Sequence, residues 1–423
     1  MKNTDSFSFK HLLQAIGPGL LLAGAAIGVS HLVQATRAGA DYGFALIPIL
    51  ALACISKYPF LEFGPRFAAA TGKNLVQGYR DMGSWAIVAF LMITFGTMFI
   101  IQAAVTSVSA GLAEQLFGFG FDMVTWSAIL LAICVFLLFM GRYPGLDLTM
   151  KIIITLLTLL TLAAVVFAMG GGETPGEVIG ESPSWWNAAG FAFVIAFMGW
   201  MPIPLDSAVW HSIWTRERER QTGHRATMRE AIIDFNIGYI AAALIGFLFL
   251  SLGALVMFGS GVSFENNSVR FSAQLVELYS STLGAWSAPL ITIAAFITMF
   301  STTLAVTDAF PRVLTQVRIH VVPKPIGDKD KSRFYNLMLI SIPVVSVGVL
   351  IFFSGTFTAF IDLATVISFL SAPLLAWMNY RLVTSDQMPE HARPGKAMRL
   401  YCLASIAFLL IFCLAYIYIR IFI

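Results

Sequence analysis

The chain is 423 residues long, 58% hydrophobic and only 12% charged, with a mean hydropathy of +0.81 and a formal net charge of +3. A soluble globular domain carries about 45–50% apolar and about 25% charged residues, so this balance excludes one and points to an integral membrane protein. There is no GxSxG, HExxH or phosphate-cradling loop, and Cys54, Cys134, Cys402 and Cys413 sit in apolar segments without CxxC or Cys/His spacing, so an enzyme, a structural zinc site, a disulfide framework and a cofactor are not expected.

Crossing the hydrocarbon takes about 20 apolar residues. Eleven segments meet that need, at approximately 12–36, 44–64, 85–110, 124–141, 149–169, 185–213, 231–258, 284–309, 335–354, 357–383 and 399–421. The polar start, MKNTDSFSFKH, precedes a first span too long for a signal peptide's apolar core and without a small-residue cleavage site, so no removable leader is expected.

Two spans are interrupted at mid-length. The first breaks at GVSH, Gly28 to His31, and the sixth at MPIPLD, Met201 to Asp206. Unwound backbone at membrane depth is tolerated only where protein, water or a ligand replaces the lost hydrogen bonds. Paired interruptions in corresponding positions of two halves mark a secondary transporter built from inverted repeats, with cargo at the midplane.

The loops sort the charges. Of the 26 Lys and Arg residues, 22 fall in the N-terminal tail or in alternate loops, while Arg37, Arg270 and Arg420 fall on the other side and Lys57 lies inside the second span. Lys and Arg accumulate on the cytoplasmic face. The N-terminus is therefore expected inside and the C-terminus outside. The run TRERERQTGHRATMRE is a solvated inner loop whose interleaved Glu residues argue against nucleic acid as a partner. The expected partners are the lipid bilayer and a transported ion or small solute; no signal for an oligomeric state is present.

Spans one to five and six to ten each open with an interrupted helix, and an odd number of helices inserts the second half upside down. The expected organisation is one all-α transmembrane domain over 1–423, with repeat one at about 12–169, repeat two at about 185–383 and an added helix at about 399–421.

Within this frame the candidate substrate site comprises Gly28, Ser30, His31, Met201 and Asp206. Asp206 follows Pro202 and Pro204, where an ionisable side chain at membrane depth is a functional hypothesis by default; it is equally a good N-cap for the helix opening at LDSAVW. His31 offers a nitrogen ligand, a titrating group or a cap on the broken backbone. With the Met201 thioether, His31 and Asp206 form a mixed N, S and O set suited to a transition metal. Further polar groups at membrane depth are Thr302, Thr303 and Asp308 in the eighth span and Asp234 and Asn236 in the seventh, read as pathway residues or as boundary and back-bonding groups. Asp362 is expected at the outer interface. Lys57 and Glu62 are expected to snorkel or pair locally.

The stretch GPGLLLAGAAIGVSHLVQATRAGADYGFAL, Gly17 to Leu46, together with TGK after the second span and the MP dipeptide of the sixth, resembles the Nramp family of proton-coupled divalent metal transporters. That resemblance implies a LeuT-like arrangement of five plus five helices with helices one and six unwound at the centre. It also implies metal ligands where the family reads DPGN and MPH. Here those positions hold Gly28, Val29, Ser30 and His31, and Met201, Pro202 and Ile203, so the aspartate, asparagine and first histidine are replaced. His211 and Ser212 are similar to the family's later His-Ser pair, three residues further from Met201 than the pattern places them. The third span carries Thr94, Thr97, Gln102, Thr106 and Ser107 where the family has an acidic residue. Proton coupling is then expected from His31, Asp206 or His211. A divalent metal is the first expected cargo and an amino acid or other small organic solute the second; a membrane sensor is the third class, weakened by the lack of a soluble domain.

Overall fold

The computed structural model describes residues 9–141, 143–170, 184–322, 326–353 and 355–422. Lys2, Arg142 and Lys324, three of the charges read as cytoplasmic, lie outside them. The described chain is helical: α1 (Phe9–Ala15), α2 (Pro18–Ala26), a π-helical segment (Ser30–Ala35), α3 (Thr36–Tyr42), α4 (Ile47–Thr71), α5 (Leu75–Met82), α6 (Ser84–Phe117), α7 (Met123–Phe139) and α8 (Tyr143–Gly170). The second half holds α9 (Ala188–Trp200), α10 (Ser207–Thr222), α11 (Met228–Val256), α12 (Ser268–Leu283), α13 (Ser287–Val321), α14 (Asp328–Phe352), α15 (Phe357–Thr384) and α16 (Lys396–Phe422).

These elements sit where the hydropathy places eleven spans. Among the described residues, seven helical stretches are long and apolar enough to cross a membrane, and three shorter apolar helices fall at the fourth, fifth and sixth spans. Helix ends follow local chemistry. Asn187 accepts from the Gly190 N–H at 2.7 Å to start α9, and a capping box between Thr227 and Glu230 starts α11. Between the seventh and eighth spans the chain also forms α12, a helix whose buried face, including Phe271, Leu275, Leu278 and Tyr279, rests on the bundle.

Helix pairing reproduces the inverted repeat. Exchanging span one with six, two with seven, three with eight and five with ten maps the contacts of α2 and α3 with α11 onto those of α9 and α10 with α4. The same exchange maps α8·α2 onto α15·α9, and α13·α8 onto α15·α6. The closest crossings need residues without side chains: a Cβ on Gly39 would lie 1.9 Å from the Leu250 carbonyl oxygen, and one on Gly253 would lie 2.2 Å from that of Thr36. Backbones meet there, as small residues allow between membrane helices. The fold is the LeuT-like five-plus-five arrangement with broken helices one and six.

Candidate functional site

In the first break α2 ends at Ala26, and Gly28 N–H turns back onto Ala26 O at 2.8 Å, off the α-helical ladder. The unwound stretch is 27–29, one residue earlier than expected, because Ser30 and His31 already belong to the π turns: Thr36 N–H donates to His31 O, five residues back. The ladder recovers by widening, the local geometry that π-bulges bring to functional sites. A Cβ on Gly28 would lie 3.0 Å from the Thr302 methyl. Thr302 of α13 therefore fills the direction in which the aspartate of the resemblance would project. Its hydroxyl donates to Gly24 O at 3.0 Å, in addition to the in-helix Thr298 O at 3.1 Å.

Ser30 and His31 form a relay of three acceptors and few protons. Ser30 Oγ lies 2.7 Å from Ala26 O, 2.7 Å from His31 Nδ1 and 3.5 Å from Pro202 O, while His31 Nε2 lies 2.8 Å from Ala242 O of α11. Ala242 O can only accept, so Nε2 carries a proton. With a neutral ring, the Ser30 hydroxyl must choose between Nδ1 and Ala26 O. Only an imidazolium lets Nδ1 donate to Ser30 while Ser30 donates to Ala26 O. The Ser30–Pro202 contact is also where the two breaks meet.

The sixth break is longer. Between α9 and α10, residues Met201 to Asp206 are non-helical, with a cis Met201–Pro202 bond. Pro202 and Pro204 cannot donate, so the last turn of α9 loses its ladder partners. Lys57, wholly buried in α4, takes over: Nζ donates to Gly199 O at 2.8 Å and to Ile203 O at 3.4 Å. Lys57 thus neither snorkels nor pairs with Glu62, which is held by Arg66 through bonds of 2.9 Å. Asp206 is buried at the start of α10 and makes no side-chain cap bond there; α10 packs on α4, which carries Lys57, and on α5, which carries Tyr79. Met201 turns the other way: its sulfur would be 2.9 Å from a Cβ on Gly246, one turn along α11 from the Ala242 that holds His31. His31 and Met201 share the α11 side of the site and Asp206 lies on the α4 side. Among the described residues no three His, Cys, Asp or Glu side chains gather as a metal cluster.

Between the breaks lies a cavity of about 30 Å³, lined by Ala26 and Ser30 of the first, Ile203 and Pro204 of the sixth, Ile101 of α6 and Thr302 of α13, among others. Thr303 points elsewhere, to Ser109 at 2.7 Å.

The remaining predicted residues are bound up in contacts that the linear pattern did not announce. Asp234 accepts from the Gly17 and Gly19 N–H groups at 2.9 and 2.6 Å, so it caps α2 from another helix. His211, fully buried, lies 3.6 Å from Asp234 and has no hydrogen bond on either ring nitrogen. Asn236 accepts from Tyr58 at 2.8 Å. Asp308 is held by Arg312 and Tyr335, both at 2.5 Å, beside an open cavity of about 290 Å³ that Arg312 and Tyr335 line. Asp362 is more than interfacial: it receives Arg37 bidentately at 2.7 and 3.1 Å and Gln34 at 3.0 Å, tying α15 to the first span.

Residues 19–419 match the family model described as natural resistance-associated macrophage protein-like. An uncharacterized protein of Pasteurella multocida is 33% identical over 389 residues, 91% of this chain and 87% of the relative. The divalent metal cation transporter MntH of Brucella suis is 25% identical over 383 residues, 88% of this chain and 80% of that one. Among solved structures, a manganese transporter of Eremococcus coleocola is similar in fold with a TM-score of 0.72 at 14% identity, over 97% of this chain and 87% of its own.

Proposed function

The chain belongs to the natural resistance-associated macrophage protein-like (Nramp) family, and on that premise we propose that it is a secondary transporter that moves a divalent transition-metal cation across the cytoplasmic membrane by alternating access. The observation that carries this reading is the size of the chamber between the breaks. About 30 Å³ accommodates one water or one ion, since a single water needs roughly 10–15 Å³ on this measure, whereas an amino acid does not fit.

In this reading the ion rests against the Ser30 and Thr302 hydroxyls and the backbone opened at Gly28 and around Met201. His31, Met201 and Asp206 supply nitrogen, sulfur and oxygen from the flanks as the bundle rocks. A proton coupling step runs through His31, whose hydrogen bonds are complete only when the ring is charged, with Asp206 and His211 as further carriers. Thr303, Asp234, Asn236 and Asp308 serve as helix-to-helix ties along the path. The charge asymmetry of the loops supports a cytoplasmic N-terminus and an outer C-terminus.

Reconstitution into proteoliposomes tests this directly. Saturable Mn²⁺ or Fe²⁺ uptake, absent from protein-free vesicles and stimulated by an inward proton gradient, is the expected result. Folded protein that takes up neither ion, yet is stabilised against heat by an amino acid, would overturn it.

A further inference from the structure

We propose that the loop 117–121, which joins α6 to α7, is an anchor that seats in the headgroup–acyl boundary of the bilayer, held in shape by the Glu114 carboxylate. This goes beyond transport and does not depend on the cargo.

The loop reads FGFGF, three rings around two glycines. Gly118 and Gly120 have φ of +64° and +76°, the left-handed region that favours residues without a side chain. The chain turns at each of them, and the rings gather round one indole. Phe117, Phe119 and Phe121 have centroids 5.6, 5.8 and 5.7 Å from that of Trp126 in α7. Trp126 is buried beneath them, whereas Phe117, Phe119 and Phe121 are 47, 63 and 41% exposed. The polar side of the loop is closed by a single acceptor. Glu114 receives the Gly120 N–H at 2.8 Å, the Phe121 N–H at 3.1 Å and the Trp126 indole N–H at 2.7 Å. Irregular backbone beside lipid needs its donors satisfied from within the protein, and this carboxylate does that.

The length of α6 sets the depth. Val105 lines the chamber between the breaks, and Phe117 stands twelve residues further along the same helix, about 18 Å at a rise of 1.5 Å per residue. Hydrocarbon extends about 15 Å to either side of the midplane. With the chamber at the midplane, the rings therefore fall at the edge of the hydrocarbon, where aromatic side chains collect. They also continue a lipid-facing surface. Phe117 packs edge-on against Phe296 of α13 at 5.7 Å, and the neighbouring exposed residues are Leu290 and Ile293 of α13 and Ile133 and Phe136 of α7. No Lys or Arg occurs between Arg80 and Arg142. The two acids nearby, Glu114 and Asp122, are turned onto backbone N–H groups. Exposed rings at this depth, with no free charge among them, match lipid rather than water.

Power-saturation electron paramagnetic resonance on the full-length protein in phosphatidylcholine nanodiscs tests the placement. Cys54, Cys134, Cys402 and Cys413 are buried, so a nitroxide reagent is directed to an introduced cysteine. Oxygen concentrates in lipid and a nickel chelate stays in water. The oxygen-to-nickel accessibility ratio of a label at Phe119→Cys is expected to be several-fold above that at Ser263→Cys, in the exposed loop before α12, and below that at Ile133→Cys on the lipid face of α7. Adding Glu114→Ala is expected to bring the label at position 119 toward the Ser263→Cys value, and no change would refute the role given to Glu114. A ratio at Phe119→Cys equal to that at Ser263→Cys, in protein that elutes as a folded peak, would overturn the anchor. Shielding of that label from both reagents would overturn it as well, because a second copy of the chain, not lipid, would then cover the rings.

Discussion

The first break departs from the α ladder for three residues and recovers as π turns, with its oxygens met by neutral groups: the Ser30 hydroxyl at Ala26 O and the Thr302 hydroxyl at Gly24 O. The sixth departs for six residues, loses two donors to proline, and has its oxygens met by the side-chain amine of Lys57. A break that costs few hydrogen bonds can be repaired by hydroxyls that also bond within their own helix. One that frees a whole turn needs a longer donor with more than one proton, and the chain supplies the Lys57 amine. The two halves of the inverted repeat have therefore diverged in how their breaks are satisfied while keeping their helix pairings.

The comparison can be broken most severely at the sixth break. A Cβ on Gly199 would lie 2.0 Å from the Thr365 carbonyl oxygen of α15, so Gly199→Val is expected to destabilise the protein by about 3 kcal/mol or more, the upper end of overpacking costs. Loss of the folded peak in size-exclusion chromatography would register it. At the first break the obstruction is a side chain. Gly28→Asp alone is expected to cost about 1–3 kcal/mol against Thr302, and Gly28→Asp with Thr302→Ala should recover at least half of that in a thermal unfolding series. The double variant should also bind Mn²⁺ roughly tenfold tighter than wild type by titration, about 1.4 kcal/mol. If the double variant is no more stable than the single one, Thr302 is not the obstruction.

Smaller effects sharpen the contrast. Ser30→Ala leaves His31 Nδ1 without its hydroxyl partner and is expected to cost about 1 kcal/mol, seen as a lowered unfolding midpoint. A control far from both breaks is Asp122, which starts α7. Its carboxylate accepts from the Thr125 N–H at 2.7 Å, and bonding with Thr125 holds it below the ordinary carboxylate value. The contribution is full above that ordinary value and is lost as pH falls through the lowered one. Asp122→Ala should cost about 0.5 kcal/mol at neutral pH and progressively less as pH falls through the lowered value, whereas Ser30→Ala should cost more in acid than at neutrality, because a charged His31 ring loses the hydroxyl that its Nδ1–H donates to.

What could be read from the chain was whatever is local. Runs of apolar residues mark the spans, and Gly28, Pro202 and Pro204 mark the discontinuities, because helix breaking acts through neighbours in sequence. The five-plus-five order followed from parity. Partners across helices were out of reach. Asp234 reads as a boundary residue until Gly17 and Gly19 are folded against it, more than 200 positions earlier in the chain. Lys57 reads as a snorkelling side chain because a lysine in an apolar run usually escapes to water; only the α9 terminus packed on α4 makes an inward course favourable. Helix α12 was missed because its polar face interrupts the hydropathy that marks a span.

The narrow room between the breaks also decides how anything must arrive there. An ion with its inner sphere of six waters is several times larger than about 30 Å³, so whatever comes to rest inside has been stripped of most of that sphere at the doorway. Mg²⁺ parts with its waters reluctantly and demands near-ideal octahedral oxygens, while softer first-row ions accept a mixed and irregular set. In the proposed reading, discrimination against Mg²⁺ would therefore be exercised by dehydration at the threshold, before any side chain has made its choice.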